Sequence, residues 1–284
     1  MTRQKHREGY RDERERATEP GKKRNEKRKS RRRRNRRKAR IRFLASMLGT
    51  LLGAVLLVLV AYTALNLFCG FGKVNTQKLR EQGYPESLIA LVERNPETKD
   101  FVLDYPKYKG LEEIDISKEV TKGEIPNFLQ WDERWGYETY GSDFLAVTGC
   151  GPTCLSMVTC GLTGDTQWNP YEVAKMAEDN GYYVDGSGSS WELMSSGAEK
   201  LGLTVSSVIF DAEHIRATLE SGQPIICVMG PGDFTDAGHF LVLTGVDQEG
   251  DIILQDPNSV ERTKQHWDVQ KLMNQMKNLW SYRV

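Results

Sequence analysis

A run of 29 residues without a charged side chain, 43–71, constrains this chain more than any other feature. A helix of about 20 apolar residues crosses the hydrocarbon core of a bilayer, so this run can span a membrane with some tilt. A cleaved signal peptide is the competing interpretation, but both the segment before the run and the run itself are too long for one. We therefore predict one uncleaved transmembrane helix over 43–71.

Basic residues are concentrated immediately before this run. Residues 1–42 contain 21 of the 39 Lys and Arg and 6 of the 39 Asp and Glu, which leaves 18 basic and 33 acidic residues in the rest of the chain. Such an asymmetry favours two compartments or two partners over a single domain. Because Lys and Arg beside a span stay in the cytoplasm, we expect the N-terminus inside and residues 72–284 outside the cell membrane.

The basic arm, 1–42, is too charged and too poor in apolar residues to fold alone, so we expect it to be disordered. Its position against the predicted span indicates contact with anionic membrane lipid. Nucleic-acid binding is the alternative for such a basic segment, and the same position makes it the weaker one. We expect no nucleic-acid partner, and the sequence leaves the oligomeric state open.

The part of the chain after the span divides by composition into 72–125 and 126–284. The first stretch holds short amphipathic pieces, with Leu88, Leu91 and Val92 at helical spacing. It predicts a helical stalk or linker that either packs on the domain or acts as a spacer. The second stretch is long enough for one hydrophobic core. Its helices come first and its strands later, which favours an α+β domain with a C-terminal antiparallel sheet.

The cysteines give no sign of a structural framework. A domain of this size with four cysteines, besides one in the predicted span, is not a disulfide scaffold. No C-x-x-C pair occurs, and the four histidines show no metal-ligand spacing with the cysteines. We therefore expect neither a metal nor a cofactor. The five cysteines are Cys69, Cys150, Cys154, Cys160 and Cys227.

The segment GCGPTCLSMV, 149–158, places Cys150 at the start of a predicted helix that ends at Gly161. A helix N-terminus lowers the pKa of a thiol, and the thiolate is the form that attacks. The flanking glycines are expected to allow a tight turn and to leave the sulfur accessible. A buried structural thiol is the alternative for Cys150. Cys154, one helical turn later, is the alternative nucleophile, although packing beneath Cys150 explains it more simply.

Two later segments supply a base and a residue to orient it. His239, in AGHFLVLTG, opens a predicted strand, and Asp256, in LQDPN, ends the next one. Neighbouring hairpin strands can bring the two together, where a carboxylate fixes the tautomer of the ring and favours the imidazolium. His266, beside Trp267, is the alternative base. His214 lies in a charged helix and is expected at the surface.

Three blocks, LQWDERWGYETYG…TGCGPTCLSMV, AGHFLVLTG and LQDPN, resemble the papain-like cysteine peptidases of the bacteriocin-leader (double-glycine) processing type, in particular the stand-alone, membrane-anchored branch. The stretch YPESLIALVERNPETKDFVLDYP also resembles the prefix of anchored members, so that the likeness covers about residues 84–284. The resemblance implies a papain-like fold, with Cys150 as nucleophile, His239 as base and Asp256 as the orienting residue.

The resemblance also implies a glutamine, upstream of the nucleophile, that contributes to an oxyanion hole. Gln130, in LQWDERW, is the matching residue. In transporter-fused relatives the glutamine lies only a few residues before the cysteine, whereas Gln130 lies 20 residues before Cys150. The backbone N–H of Cys150 is the other expected donor.

Together these features predict a membrane-anchored, extracytoplasmic cysteine peptidase that hydrolyses peptide bonds of a peptide or protein substrate through a Cys-His-Asp triad. One alternative is a cell-wall peptide or amide hydrolase of the same chemistry. Another is a non-catalytic papain-like binding module, although the intact Cys, His and Asp argue against it. The predicted site faces outside, unlike that of the fused relatives, which weakens transfer of their leader-peptide substrate. We expect the glycine-rich loop 185–191 at the substrate cleft.

Overall fold

The computed structural model describes residues 74–284 continuously and, before them, residues 31–38, 40, 43–45, 47–49, 51 and 53–60. The chain divides into two compact units, 1–73 and 74–284. In the first unit, helix α1, Arg31–Val60, is long and apolar enough to cross a membrane, by length and composition alone. It begins within the basic arm, earlier than predicted, since Arg and Lys are good helix formers. The other parts of the predicted arm and span, with Cys69, lie outside the described residues.

Short helices open the second unit. Leu88 and Ile89 are fully buried and pack, together with Phe101, against Tyr137 and Ala146 of the following domain. Of the two arrangements that the sequence left open for this stretch, the structure therefore shows packing on the domain. The helices are α2 (Thr76–Glu81), α3 (Glu86–Arg94) and α4 (Lys99–Asp104), with 3-10 turns at Pro96–Thr98 and Tyr105–Lys107.

A long buried helix forms the centre of the domain. A two-strand hairpin, β1 (Thr139–Tyr140) and β2 (Asp143–Phe144), and a short helix, α5 (Leu145–Thr148), lead into α6 (Cys150–Thr163). The predicted stop at Gly161 is wrong, because α6 continues to Thr163 and ends at Gly164 in the left-handed conformation, with φ +77°. Gly161 serves close packing instead, since a Cβ there would lie 2.7 Å from the side chain of Ile125.

Between α6 and the sheet the chain forms α7 (Pro170–Asp179) and a small hairpin, β3 (Tyr183–Val184) and β4 (Gly188–Ser189). The helical stretch within 189–202 is interrupted. It appears as a 3-10 turn, Trp191–Met194, and α8, Ser196–Lys200. The break falls at Ser195, whose backbone (φ −108°, ψ −88°) lies outside the helical region.

The C-terminal half is a six-stranded sheet in which every pairing is antiparallel. The strands are β5 (Thr204–Ser207), β6 (Ile225–Met229), β7 (His239–Val246), β8 (Ile252–Gln255), β9 (His266–Trp267) and β10 (Met276–Arg283). They lie in the order β5–β10–β6–β7–β8–β9. Three helices connect them: α9 (Ala212–Glu220), α10 (Val260–Thr263) and α11 (Val269–Met273).

The sheet is buried on both faces because alternate residues of its central strands are apolar. Phe240 and Val242 of β7 belong to the hydrophobic cluster that contains the side chains of α6. Leu241 and Leu243 belong to a second cluster, which contains the side chains of α9 and α11. The predicted α+β class with a C-terminal antiparallel sheet is confirmed, and α6 packs on the face of the sheet that β7 helps to form.

Candidate active site

Cys150 is the first residue of α6 and is partly exposed. A Cβ at Gly149 would lie 2.5 Å from the carbonyl oxygen of Leu145, and a Cβ at Gly151 would lie 2.5 Å from Oγ of Ser189. Neither glycine has a positive φ. The glycines beside Cys150 are therefore required by the close approach of neighbouring chain, and not by the tight turn expected from the sequence.

His239 and Asp256 meet at one end of the β7–β8 hairpin. His239 is the first residue of β7, and Asp256 directly follows the last residue of β8. The imidazole Nε2 lies 2.7 Å from Oδ1 of Asp256, and both side chains are buried. Since Nε2 is bound to Asp256, Nδ1 is the ring nitrogen available to the sulfur of Cys150, and the thiol and the ring shift each other's pKa.

Asp256 is enclosed by hydrogen-bond donors. Besides His239, its carboxylate accepts the N–H of Asn258 at 2.8 Å and Nε of Arg262 at 2.5 Å. Its own N–H donates to Oγ1 of Thr263 at 2.9 Å. Arg262 was not among the predicted site residues, because nothing in NSVERT separates an arginine that meets a buried acid from one at the surface. Only the structure shows that Asp256 is completely buried, and a buried carboxylate needs a partner of opposite charge or hydrogen-bond donors.

The three groups shift one another's protonation. Burial alone would raise the pKa of the Cys150 thiol, but the hydrogen bond and charge of His239, with the N–H groups of Phe240 and Gly151, lower that pKa below its ordinary value. Burial would lower the pKa of His239, yet Asp256 and Cys150 raise it. The pKa of Asp256 is lowered against the effect of its burial by His239 and Arg262. These directions favour a thiolate–imidazolium pair held against a carboxylate.

The other described cysteines behave in the opposite way. Cys154 and Cys227 are fully buried, and burial raises the pKa of each thiol. Burial also raises the pKa of Cys160, to about 12. Among the described residues, Cys150 is thus the cysteine in which a thiolate is favoured, while Cys154 packs beneath it in the core.

Gln130 reaches the site from a loop. Its side chain is buried, and it lines the same cleft as Cys150. Nε2 donates one hydrogen bond to the carbonyl of Ala146 at 2.7 Å, and Oε1 has no partner within the described part of the chain. Its backbone N–H donates to the carbonyl of Pro257 at 2.7 Å, beside Asp256. The fold therefore brings Gln130 to the cleft that Cys150 also lines, despite their separation in sequence.

A cleft of about 880 Å³ opens over these residues. This volume lies at the upper end of the range of ligand sites. Its lining includes residues 186–189 and Trp191, from the loop whose glycines predicted a place at the cleft, and residues between 228 and 240. Leu91, Arg94 and Asn95 also line it.

The alternative histidines lie elsewhere. His266 is exposed on β9, where Nδ1 lies 2.6 Å from Asp247. His214 is exposed on α9, where Nδ1 lies 2.7 Å from Asp211. Neither lines the cleft around Cys150. Within the described ranges, no group of three or more His, Cys, Asp or Glu side chains is arranged to hold a metal ion.

A central helix packed on an antiparallel sheet, with the start of the helix facing the start of a strand, is the papain-like architecture that the motifs predicted. The Peptidase_C39 like family matches residues 122–284, more than half of the chain. The chain belongs to this family of cysteine peptidases, which confirms the resemblance seen in the sequence. No curated protein matches it.

Two solved structures are similar to part of the chain. A C39-like peptidase from Bacillus anthracis is 18% identical with a TM-score of 0.34, over 58% of this chain and 97% of that one. The peptidase domain of Streptococcus ComA, a bifunctional ABC transporter involved in a quorum-sensing pathway, is 21% identical with a TM-score of 0.35. This second match covers 47% of this chain and 89% of that one.

Proposed function

We propose that the protein is a membrane-anchored cysteine peptidase whose catalytic domain acts outside the cytoplasm. The observation that carries the proposal is the line of interacting groups from Cys150 through His239 to Asp256 at the cleft. Along this line the pKa of Cys150 is lowered, while the pKa values of the other described cysteines are raised. A thiolate beside an imidazolium is the attacking state that a cysteine peptidase needs.

In the first half of the reaction the Cys150 thiolate attacks the carbonyl carbon of the scissile peptide bond, and a C–S bond forms. The proton on Nδ1 of His239 then passes to the leaving nitrogen as the C–N bond breaks, so the amine departs neutral. The product is a thioester on Cys150. Asp256 keeps its charge throughout and holds the ring through Nε2, which fixes the tautomer and orientation that transfer from Nδ1 requires.

In the second half, water attacks the thioester while His239, now neutral, accepts its proton at Nδ1. The C–S bond breaks, the acid product leaves, and the thiolate–imidazolium pair is restored. The raised pKa of His239 and the lowered pKa of Asp256 suit this cycle, because they keep the positive charge on the ring and the negative charge on the carboxylate between turnovers.

Both halves pass through a tetrahedral oxyanion. We assign its stabilisation to the backbone N–H of Cys150 and to the Gln130 amide. Gln130 Nε2 uses one N–H on Ala146, which leaves its second N–H for the oxyanion and explains why a buried glutamine lines the cleft. Donors fixed before the reaction stabilise the developing charge without reorganising.

Anchoring and orientation are supported by α1 and by the charge distribution. The length and composition of α1 suffice for a span, and the basic residues on its N-terminal side favour a cytoplasmic N-terminus. The acidic domain, 74–284, then lies outside the membrane.

Comparison of the peptides released at the surface of cells that carry wild-type protein or Cys150→Ser tests the function. Peptides that require Cys150 would support a protein peptidase. Zymography on purified cell wall separates this activity from wall hydrolysis. A cleared band that depends on Cys150 would indicate that the substrate is a cell-wall peptide and not a protein. If no product and no wall clearing depends on Cys150, the catalytic proposal is wrong.

The orientation is tested by adding a protease to intact cells. We expect digestion of 74–284 in the wild type and a mixture of orientations after deletion of 31–42. Shielding of the wild-type domain, under conditions that digest a known surface protein, would contradict the outside placement.

A further inference from the structure

The family match begins at residue 122, yet an earlier part of the chain is built into the site. Residues 74–108, which we call the prefix, pack on the domain through a cluster that includes Leu88, Phe101 and Tyr137. The rings of Phe101 and Tyr137 stack with centroids 4.2 Å apart. The same cluster contains Ala146 of α5, whose carbonyl binds Gln130.

The prefix also holds the chain that follows Asp256. The Glu97 carboxylate accepts hydrogen bonds from Oγ of Ser259, from the N–H of Val260 at 2.8 Å and from the N–H of Glu261 at 3.2 Å. Nδ2 of Asn95 donates to the carbonyl oxygen of Asn258 at 2.5 Å and to its side-chain oxygen at 3.1 Å. Four consecutive residues, 258–261, are therefore bonded to Asn95 and Glu97.

Residues 258–262 also surround the carboxylate of Asp256. Asn258 donates its N–H to Asp256, and Arg262 donates Nε to the other oxygen. The N–H of Arg262 in turn donates to Oγ of Ser259 at 3.0 Å, the hydroxyl that Glu97 binds. Because α10 has only four residues, it cannot be stable on its own, and its position depends on such contacts.

We propose that Glu97 is a positioning residue for the catalytic site, with Asn95 as its second contact: the prefix sets α10, and α10 sets Arg262 and Asp256 against His239. This inference rests on the proposed function. It makes the prefix part of the peptidase domain and gives it a role in the thiolate–imidazolium pair, although neither residue touches the reacting atoms.

The test is the pH dependence of Cys150 alkylation by iodoacetamide, measured on the full chain in detergent, for wild type and Glu97→Gln. Gln keeps the size of the side chain but loses its charge and one acceptor. We expect the midpoint to move to higher pH and the rate at neutral pH to fall about tenfold, the size usual for lost support of a functional group. Glu93→Gln is the matched control, since Glu93 is exposed on the same segment and pairs only with Arg80 in the described structure. It should leave the profile unchanged.

A melting temperature lowered in Glu97→Gln with an unchanged alkylation profile would reduce Glu97 to a structural contact and overturn the proposal. If Glu97→Gln does not fold, Asn95→Asp decides. This variant keeps the oxygen that accepts the Glu97 N–H and removes the donor to Asn258. A wild-type profile in it would count against the proposal. A Cys150 that titrates as an ordinary thiol in the wild type would contradict the proposed function itself.

Discussion

The start of α6 and the loop 256–263 both bear on the same imidazole, but they are built differently. The start of α6 is fixed by its own helix, whose residues from Gly151 to Gly161 are all buried. The loop contains only four helical residues and is held by Asn95 and Glu97, two side chains that are distant from it in sequence. The proposed nucleophile thus depends on local structure, whereas the residues proposed to orient the base depend in addition on long-range contacts.

This difference predicts how substitutions in the two regions should affect activity. A substitution at the start of α6 removes a reacting atom and leaves the scaffold in place. A substitution in the loop leaves every reacting atom in place and alters the orientation or charge of His239. The first kind should be all-or-none, and the second should be graded.

The largest effect is expected at Cys150. Cys150→Ser should abolish hydrolysis of any substrate found and block thiol labelling, because a hydroxyl in this position is far less acidic than the thiol. Cys154→Ser should retain both and lose only about 1 kcal/mol of stability from burying a hydroxyl. Labelling with an iodoacetamide probe, located by mass spectrometry, distinguishes them. Labelling that persists in Cys150→Ser and disappears in Cys154→Ser would reverse the assignment.

His239→Ala should be as inactive as Cys150→Ser in turnover, since the proposed mechanism relies on this ring to give the proton to the leaving amine. His266→Ala is the control and should keep wild-type activity, because that ring pairs with Asp247 outside the cleft. Rates of peptide release measure both. Activity that survives loss of His239 and disappears with His266 would show that the base has been misassigned.

Asp256→Ala should be impaired but detectably active, with roughly 100-fold more activity than His239→Ala, as graded losses in hydrolase triads suggest. Asp256→Asn is the sharper variant. An amide in place of the carboxylate can favour the wrong tautomer of His239. The activity of Asp256→Asn should therefore be lower than the loss of charge alone implies. Equal and complete loss in the histidine and both aspartate variants would break the contrast between the nucleophile and the loop.

The smallest effect is expected for Arg262→Gln, which removes one charged donor from a carboxylate that still binds His239. We expect a loss of about 2 kcal/mol in the free energy of unfolding at neutral pH. Because Asp256 has a lowered pKa when folded, its stabilisation is full above its ordinary value of 3.8 and is lost as the pH falls below it. As the pH falls below about 4, the wild type should therefore lose more of its free energy of unfolding than Arg262→Gln does.

Unfolding followed by tryptophan fluorescence tests this, with Arg80→Gln as the control for an exposed ion pair, where the change should be below about 1 kcal/mol. Identical pH dependence in wild type and Arg262→Gln would mean that Arg262 does not hold Asp256 charged.

Much of the local structure followed from the sequence. Apolar spacing predicted the helix that contains Leu88, Leu91 and Val92, and strand patterns predicted the β7–β8 hairpin, because these signals are local. The α+β class and the family followed from the same stretches. The juxtaposition of Cys150, His239 and Asp256 could be expected because each stands at the end of a predicted element.

What the sequence could not supply depends on distant contacts. Gly161 looks like a helix stop, but its lack of a Cβ serves the close packing of Ile125. Arg262 and Glu97 look like surface charges until the fold brings one to Asp256 and the other to α10. Whether the prefix packs or extends could not be read from its own amphipathic pattern, since the surface that it covers lies elsewhere in the chain.

The central claim is that His239 holds Cys150 as a thiolate, and the rate of Cys150 alkylation as a function of pH tests it most directly. In the wild type the midpoint should lie below the ordinary thiol value of 9.0. In His239→Ala it should move upward, towards that value, because the cation and its hydrogen bond are gone while the N–H groups of Phe240 and Gly151 remain. The same midpoint in both proteins would contradict the account, since His239 would then have no influence on the charge of the sulfur.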